Sequence, residues 1–144
     1  MAVLTEEQSM LRDAAKSWVS EKSPVTAFRK MRDSGNEDGF DKAAWKEIAE
    51  MGWTGIIIPE EFGGSGLGYL TLGLVLEEMG RTLTASPLLS TAAATSALLL
   101  AGNDAQKQEW LPKIAEGKAI AALAVDEKSH HAPESMTLEA KKTG

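Results

Sequence analysis

Residues 56–68 read IIIPEEFGGSGLG, an apolar run that ends in a proline, two glutamates and a glycine-rich loop. The run is too short and too rich in β-branched residues for a stable helix. Pro59 and the glycines would also stop a strand from growing. The stretch therefore predicts a loop that interrupts a helical chain. Such a loop either binds a phosphate or lets the backbone pass close to neighbouring helices.

The spacing of the glycines favours close packing over phosphate binding. No lysine followed by serine or threonine comes after the loop, as a P-loop would require. Leu70 and Thr71 occupy the place of the third glycine in the dinucleotide-binding fingerprint, and no parallel β-α-β pattern surrounds the loop. A phosphate cradle is the less favoured alternative.

Helix signals precede and follow the loop. Thr5 and Gln8 form a capping-box pattern, Ser23 before Pro24 predicts a second helix capped by the serine, and Asp41 predicts the cap of a third. A fourth helix follows the loop, with apolar residues at spacings of three and four: Leu72, Val75, Leu76 and Met79.

Two further helices are predicted before the pattern changes. Residues 87–101 are apolar or small on nearly every side, so we expect this fifth helix to be buried all round. A sixth helix is predicted to begin at Asn103 or Asp104 and to be split or restarted at Pro112.

The chain after residue 118 has the pattern of strands. Residues 119–125 form a continuous apolar run, which is typical of a buried strand, and residues 136–141 alternate apolar and polar side chains. The predicted fold is therefore mainly α, with a helical domain at 1–118 followed at 119–144 by the first two strands of an incomplete β-domain.

Composition narrows the classes of partner. The 144 residues carry a net charge of −6 with a pI near 5.0, which argues against a broad nucleic-acid face and against an anionic membrane surface. There is no cysteine, so disulfides and thiolate ligands are excluded. The N-terminus does not resemble a signal peptide, and we expect a cytoplasmic protein.

Two groups of polar residues could carry chemistry. One group consists of the adjacent pairs Glu60–Glu61 and Glu77–Glu78. In each pair, the simplest explanation is that one carboxylate forms a structural ion pair or helix cap and the other is solvated. A second group, in one loop, has side chains of the type that bind zinc or iron: Asp126, Glu127, His130 and His131. Because all four lie in a single loop, solvent exposure is the favoured interpretation, with a metal site as the alternative.

Three segments of the chain resemble the acyl-CoA dehydrogenase family. They are MGWTGIIIPEEFGGSGLG at 51–68, AGNDAQKQEWLPKIAEGKAIAALAVDE at 101–127 and LEAKKTG at 138–144, and the helix after the first carries Glu77 and Glu78. Their order and spacing agree with that family over nearly the whole chain. In the family the glycine loop is a structural feature of the helical domain, so the resemblance supports the packing interpretation.

The resemblance implies a fold and an activity. The family has an N-terminal helical domain, a middle β-barrel-like domain and a C-terminal four-helix bundle, and it acts in fatty acid metabolism. It catalyses FAD-dependent α,β-dehydrogenation of an acyl-CoA thioester. A glutamate removes the α-proton, the β-hydrogen leaves as hydride to the flavin, and the electrons pass to an electron-transferring flavoprotein. The resemblance also implies a homo- or hetero-oligomer.

Site residues carried over from the family fall in two places. The flavin contacts correspond to Leu123, Val125, Asp126, Glu127, His131 and Ala132, of which Glu127 alone matches the family in identity. Asp126 replaces a threonine, which removes a hydroxyl donor and brings a carboxylate near a ring that becomes electron-rich on reduction. The acyl group is expected beside the fifth helix at Leu89, Ser90 and Ala93, where the small Ala93 leaves room for a bulky or long chain.

The resemblance places the catalytic glutamate beyond Gly144, so it assigns no catalytic residue to this chain. We therefore predict that these 144 residues alone do not dehydrogenate acyl-CoA and hold FAD weakly or not at all. Two other interpretations stay open. One is a non-catalytic, dehydrogenase-like subunit that mainly binds a partner, and the other is a small helical binding module.

Overall fold

The structure, a computed structural model, describes residues 4–139 and 141, and within them the chain is mainly helical as predicted. Six α-helices are present: α1 (Glu6–Lys22), α2 (Val25–Asp33), α3 (Lys42–Glu50), α4 (Gly68–Arg81), α5 (Leu88–Ala101) and α6 (Asp104–Ala115). Single 3₁₀ turns occur at Trp53–Gly55, Glu60–Phe62 and Pro133–Ser135.

The predicted helix starts are confirmed except for one. Thr5 and Gln8 form a reciprocal capping box on α1, Asp41 accepts the amide of Ala43 at 2.7 Å at the start of α3, and Asn103 caps α6. The prediction that Ser23 caps α2 is wrong. The amide of Ser23 completes the last turn of α1, so Pro24 takes the N-cap position without a side-chain bond.

The main core lies between α1, α3 and α4. Helix α1 packs along α4, and the rings of Trp18 and Trp53 form a T-shaped pair with 5.5 Å between their centroids. Ile48 and Val75 are fully buried in the same cluster. This cluster anchors the buried 53–58 stretch, so the apolar run that precedes the glycine loop is part of the core.

A second, smaller core joins α6 to the same stretch. Ile58 packs there with Leu111 and Ile114, and Leu98 of α5 covers the cluster. Pro112 lies inside α6, so the prediction that it splits the helix is wrong. A proline removes one hydrogen bond from the helix, and the burial of Leu111 and Ile114 on either side offsets that loss.

Helix α5 differs from the expectation that it is buried on all sides. Leu88, Thr91 and Thr95 form its buried face, whereas Leu89 is 65% exposed and Leu100 is 86% exposed. Ser90 and Ala93, on the same side as Leu89, are exposed as well. The high hydrophobicity of this helix predicts burial on all sides, but only one face of the helix is buried.

The two predicted strands are not present in residues 119–139 and 141, so that prediction is wrong for the described part of the chain. A strand requires a hydrogen-bonded neighbour, and no backbone bond joins residues 119–125 to residues 136–139 and 141. At Thr137 and Leu138 both successive amides donate to one carboxylate. Successive amides of an extended strand point in opposite directions, so this arrangement is incompatible with a strand there.

No helix in residues 4–139 and 141 combines the length and the apolar character that crossing a membrane requires.

Candidate functional site

The amides of the glycine loop donate hydrogen bonds to carbonyls of the apolar run that precedes it. The amide of Gly66 donates to the carbonyl of Ile58 at 2.9 Å, that of Leu67 to Ile56 at 2.8 Å, and that of Ser65 to Gly55 at 3.0 Å. These groups are the ones that a phosphate cradle would need to direct outward. The loop therefore folds back against the apolar run that precedes it, as the packing interpretation expects.

Gly64 shows how close that approach is. A β-carbon at this position would lie 2.0 Å from the carbonyl oxygen of Ile58 and 2.5 Å from the Ile58 β-carbon. Both neighbours belong to a buried residue that cannot move aside. The absence of a side chain at Gly64 is thus a packing requirement of the helical body.

Two hydrogen bonds set the point where the chain leaves the helical body. The buried hydroxyl of Thr54 donates to the carbonyl of Ala115 at 2.7 Å, and the indole Nε1 of Trp45 donates to the carbonyl of Gly117 at 2.9 Å. Gly117 has a positive φ of 69°, and a β-carbon there would lie 2.4 Å from that of Ala49. The end of α6 is therefore held against α3, which directs the following segment toward α5.

The segment after α6 runs beside α5. The amide of Ala121 donates to the hydroxyl of Thr91 at 3.3 Å, and Ala119 packs against the second core. Beyond that contact the chain is more open, since Leu123 is 49% exposed and Val125 is half-buried. Leu123, the first of the expected flavin contacts, thus lies two residues after a residue that is bonded to α5.

The outer face of α5 carries the three residues expected beside the acyl group. Leu89, Ser90 and Ala93 are all exposed. The Ser90 hydroxyl donates to the carbonyl of Pro87 at 2.9 Å, so it is occupied within the first turn. Leu89 and Ala93 are one helical turn apart and form an apolar stripe. An apolar acyl group could lie along this stripe.

The loop from 126 is organised by two successive carboxylates. Asp126 lies 3.0 Å from Nδ1 of His131 and accepts the amide of Ala132 at 3.3 Å. Glu127 accepts the amide and hydroxyl of Thr137 on one oxygen, at 2.9 and 2.7 Å, and the amide of Leu138 on the other, at 2.7 Å. The backbone bond from Thr137, with the two further bonds, lowers the pKa of the Glu127 carboxyl.

One contact connects the helix that carries the expected acyl-binding residues to the segment that carries the expected flavin-binding residues. Thr91 lies between Ser90 and Ala93 in sequence, and it holds Ala121, two residues before Leu123. No hydrogen bond of the described residues joins the two sets directly. Three residues of this region were not found by sequence reasoning: Thr91, Thr137 and Leu138. Thr91 was hidden in an apolar helix and the other two in a segment interpreted as a strand.

The possible metal ligands do not assemble. Among residues 4–139 and 141, no group of three or more histidine and carboxylate side chains is arranged as a metal site. Asp126 instead pairs with His131, and Glu127 binds Thr137 and Leu138. The adjacent glutamates of α4 both pair with Arg81. Glu78 is nearly buried and its carboxylate lies 3.3 Å from Nε of Arg81, whereas Glu77 is exposed.

Comparison with known proteins identifies the family. Residues 5–118 match the family model described as the acyl-CoA dehydrogenase N-terminal domain. The chain belongs to the acyl-CoA dehydrogenase family. Mitochondrial isovaleryl-CoA dehydrogenase of Pongo abelii is 37% identical over 145 aligned residues, which cover 98% of this chain and 34% of that protein.

Solved structures share the fold. A chain of the ChsE4-ChsE5 complex from Mycobacterium tuberculosis matches with a TM-score of 0.79 and 27% identity, covering 92% of this chain and 36% of that one. A structure described as an electron transferring flavoprotein of Acidaminococcus fermentans matches at 0.73 with 28% identity, covering 90% and 34%. The chain spans about a third of the length of the curated relatives it first matches.

The family implies FAD, and residues 123–132 can be tested for their fit to it. The carboxylates of Asp126 and Glu127 both accept bonds from their own chain, so both are already engaged in holding the loop. Their negative charges would also oppose a ring that gains electrons. The remaining side chains of this loop are largely exposed. The described residues by themselves therefore do not fit the flavin.

Proposed function

We propose that this chain is the N-terminal part of an FAD-dependent acyl-CoA dehydrogenase, which carries out α,β-dehydrogenation of an acyl-CoA thioester. The observation that carries the proposal is the family match over residues 5–118. In the proposed protein, residues 1–118 form the helical domain and residues 119–144 begin the middle β-domain. The proposed location is the cytoplasm.

The part assigned to this chain is to line the acyl group. The outer face of α5 offers Leu89 and Ala93 as an apolar stripe, with Ser90 between them. Burial of this stripe by an acyl chain would remove apolar surface from water, at about 25 cal/mol per Å². Ala93 is the smallest of the three, so the acyl group is proposed to be bulky or long at that point.

The proposed partners are an electron-transferring flavoprotein and further subunits. Support comes from the solved neighbours, one described as an electron transferring flavoprotein and another as a complex of two named components. Flavin contacts are proposed for Leu123, Val125, His131 and Ala132, together with groups from the rest of the assembled protein, whereas Asp126 and Glu127 are proposed to hold the loop in shape. The proton-abstracting glutamate is proposed to lie outside these 144 residues.

The test compares the 144-residue chain with the product of its complete reading frame, including any codons that follow 144. We expect the complete product to stay yellow after desalting and to reduce a dye acceptor with an acyl-CoA. The 144-residue chain is expected to do neither. A complete product that binds no flavin and oxidises no acyl-CoA in a panel of chain lengths would overturn the proposal.

A pair of variants of the complete product tests the acyl-binding face. Ala93→Phe narrows the proposed stripe, so kcat/KM is expected to fall at least tenfold for the longest acyl-CoA substrate and less for the shortest. Ala105→Phe, at an exposed position on α6, is the matched control and should leave kcat/KM unchanged for both substrates. Equal losses on all substrates, or none with Ala93→Phe, would contradict the assignment of α5.

A second candidate is a non-catalytic, dehydrogenase-like subunit that binds a partner. It is favoured by one observation, the commitment of both Asp126 and Glu127 to bonds within the chain. This candidate predicts a complete product that lacks flavin and elutes with another dehydrogenase-like chain. The helical-binding-module interpretation instead predicts a stable, folded chain of 144 residues that binds its partner without further subunits.

A further inference from the structure

The acidic pair Asp126–Glu127 is followed by a loop that returns to the second of the two carboxylates. Thr137 and Leu138 lie ten and eleven residues after Glu127, and all three donors that they offer converge on its side chain at 2.7 to 2.9 Å. Both carboxylate oxygens are used, one by Thr137 and one by Leu138. Each bond has a charged acceptor, which makes it stronger than a neutral hydrogen bond.

We infer that Glu127 is a positioning residue that clasps Thr137 and Leu138 and closes residues 127–138 into a preformed loop, rather than a residue that touches the flavin. The statement about the flavin rests on the proposed function, which places flavin contacts in this loop. The clasp itself is a property of these 144 residues.

The neighbouring carboxylate explains how one acidic pair organises the whole loop. Asp126 holds His131 and Ala132, five and six residues away, while Glu127 holds residues at the far end. The short closure by Asp126, over residues 126–132, therefore overlaps the long closure by Glu127, over residues 127–138. Loss of Glu127 would free the long closure and leave the short one.

Charged groups around the clasp are few. Glu139 and Lys141 line the same open cavity as Glu127, and they pair with each other at 3.8 Å. Asp126 and Lys128 flank Glu127 in the chain. The three donors bond the ionised form of Glu127, so protonation of this carboxyl removes the acceptor charge that holds the loop.

The direction of the pH dependence follows from the lowered pKa of the Glu127 carboxyl. A group whose pKa is lower in the closed loop than in the open one favours closure when it is ionised. The contribution of the clasp is therefore complete above the ordinary glutamate pKa. It is lost as the pH falls through the lowered value.

The decisive experiment is a pH titration of the ¹⁵N-labelled 144-residue chain by amide NMR. We expect the amide protons of Thr137 and Leu138 to move upfield together as the pH falls, with one shared midpoint below that of an ordinary glutamate. In Glu127→Gln the two shifts should no longer titrate, because an amide side chain has one acceptor oxygen and no charge. Retention of both titrations in that variant would overturn the inference.

Glu134→Gln serves as the matched control, because Glu134 is an exposed carboxylate in the same loop. It should leave the Thr137 and Leu138 titrations unchanged. If these titrations vanish in Glu134→Gln and persist in Glu127→Gln, the clasp is assigned to the wrong carboxylate.

A titration with FAD separates the clasp from the proposed function. Adding FAD to the 144-residue chain is expected to leave the Thr137 and Leu138 amide shifts at their clasped values. Saturable shifts of both amides toward those of Glu127→Gln would show that the carboxylate leaves the clasp for the flavin, which overturns the inference. Failure of the complete product to oxidise acyl-CoA would overturn the proposed function and leave the amide titration as it is.

Discussion

Residues 55–68 and residues 126–138 are both loops, and they are held in opposite ways. The first is held by backbone bonds to its own carbonyls and by the close approach of Gly64 to Ile58. The second is held by the side chains of Asp126 and Glu127 and is largely exposed. The difference teaches that a loop packed against the core depends on shape, whereas a loop away from the core depends on charge.

The largest expected effect comes from giving the first loop a side chain. Gly64→Ala places a β-carbon against the Ile58 carbonyl, so we expect the free energy of unfolding to fall by more than about 3 kcal/mol. Urea denaturation of the chain at neutral pH measures it. Gly73→Ala on the exposed face of α4 meets nothing within 4 Å and should be neutral or stabilising by up to about 1 kcal/mol. Similar losses in both variants would break the contrast between a packed and an open glycine.

A smaller effect is expected from the bond that anchors the end of α6. Thr54→Val keeps the volume of the side chain and leaves the Ala115 carbonyl without its buried donor, so the free energy of unfolding should fall by about 1–3 kcal/mol. Thr26→Val, at an exposed position on α2, is the control and should change it by less than about 0.5 kcal/mol. Unchanged stability in Thr54→Val would mean that packing alone sets the exit direction of the chain.

The smallest effect is expected at the contact between α5 and the segment that leads from α6 to the second loop. Thr91→Val removes the acceptor of the Ala121 amide, a longer bond of 3.3 Å, so we expect a loss of at most about 1 kcal/mol in the free energy of unfolding. Hydrogen exchange at the Ala121 amide should become faster, while amides in α1 and α4 keep their protection. Slow exchange at Ala121 in the variant would show that another group holds the segment against α5.

Prediction from the sequence succeeded where the signal was local. The capping box of Thr5 and Gln8 and the cap at Asp41 depend on residues within one turn, so the helix starts could be found without the fold. The glycine loop was also interpreted correctly, because the motif residues that would bind a phosphate are absent. Ser23 shows the limit even here, since the end of α1 and the start of α2 compete for one residue.

Prediction failed where a distant neighbour decides. Hydrophobicity predicted burial for Leu89 and Leu100, yet both side chains are largely exposed in the structure. The alternation in residues 136–141 predicted a strand, yet Glu127 takes the amides of Thr137 and Leu138. The candidate acyl and flavin residues were named from a family resemblance, and they stay predictions.

By itself the sequence determined the helices, the caps of α1, α3 and α6, the structural role of the glycine loop and the resemblance to acyl-CoA dehydrogenases, because these depend on residues close together in the chain. Only the tertiary structure decided which face of α5 is buried, how Thr54 and Trp45 direct the chain after α6, and which carboxylate closes the loop at 127–138. The physical reason is that burial and hydrogen-bond partners between residues distant in sequence exist only once the chain has folded.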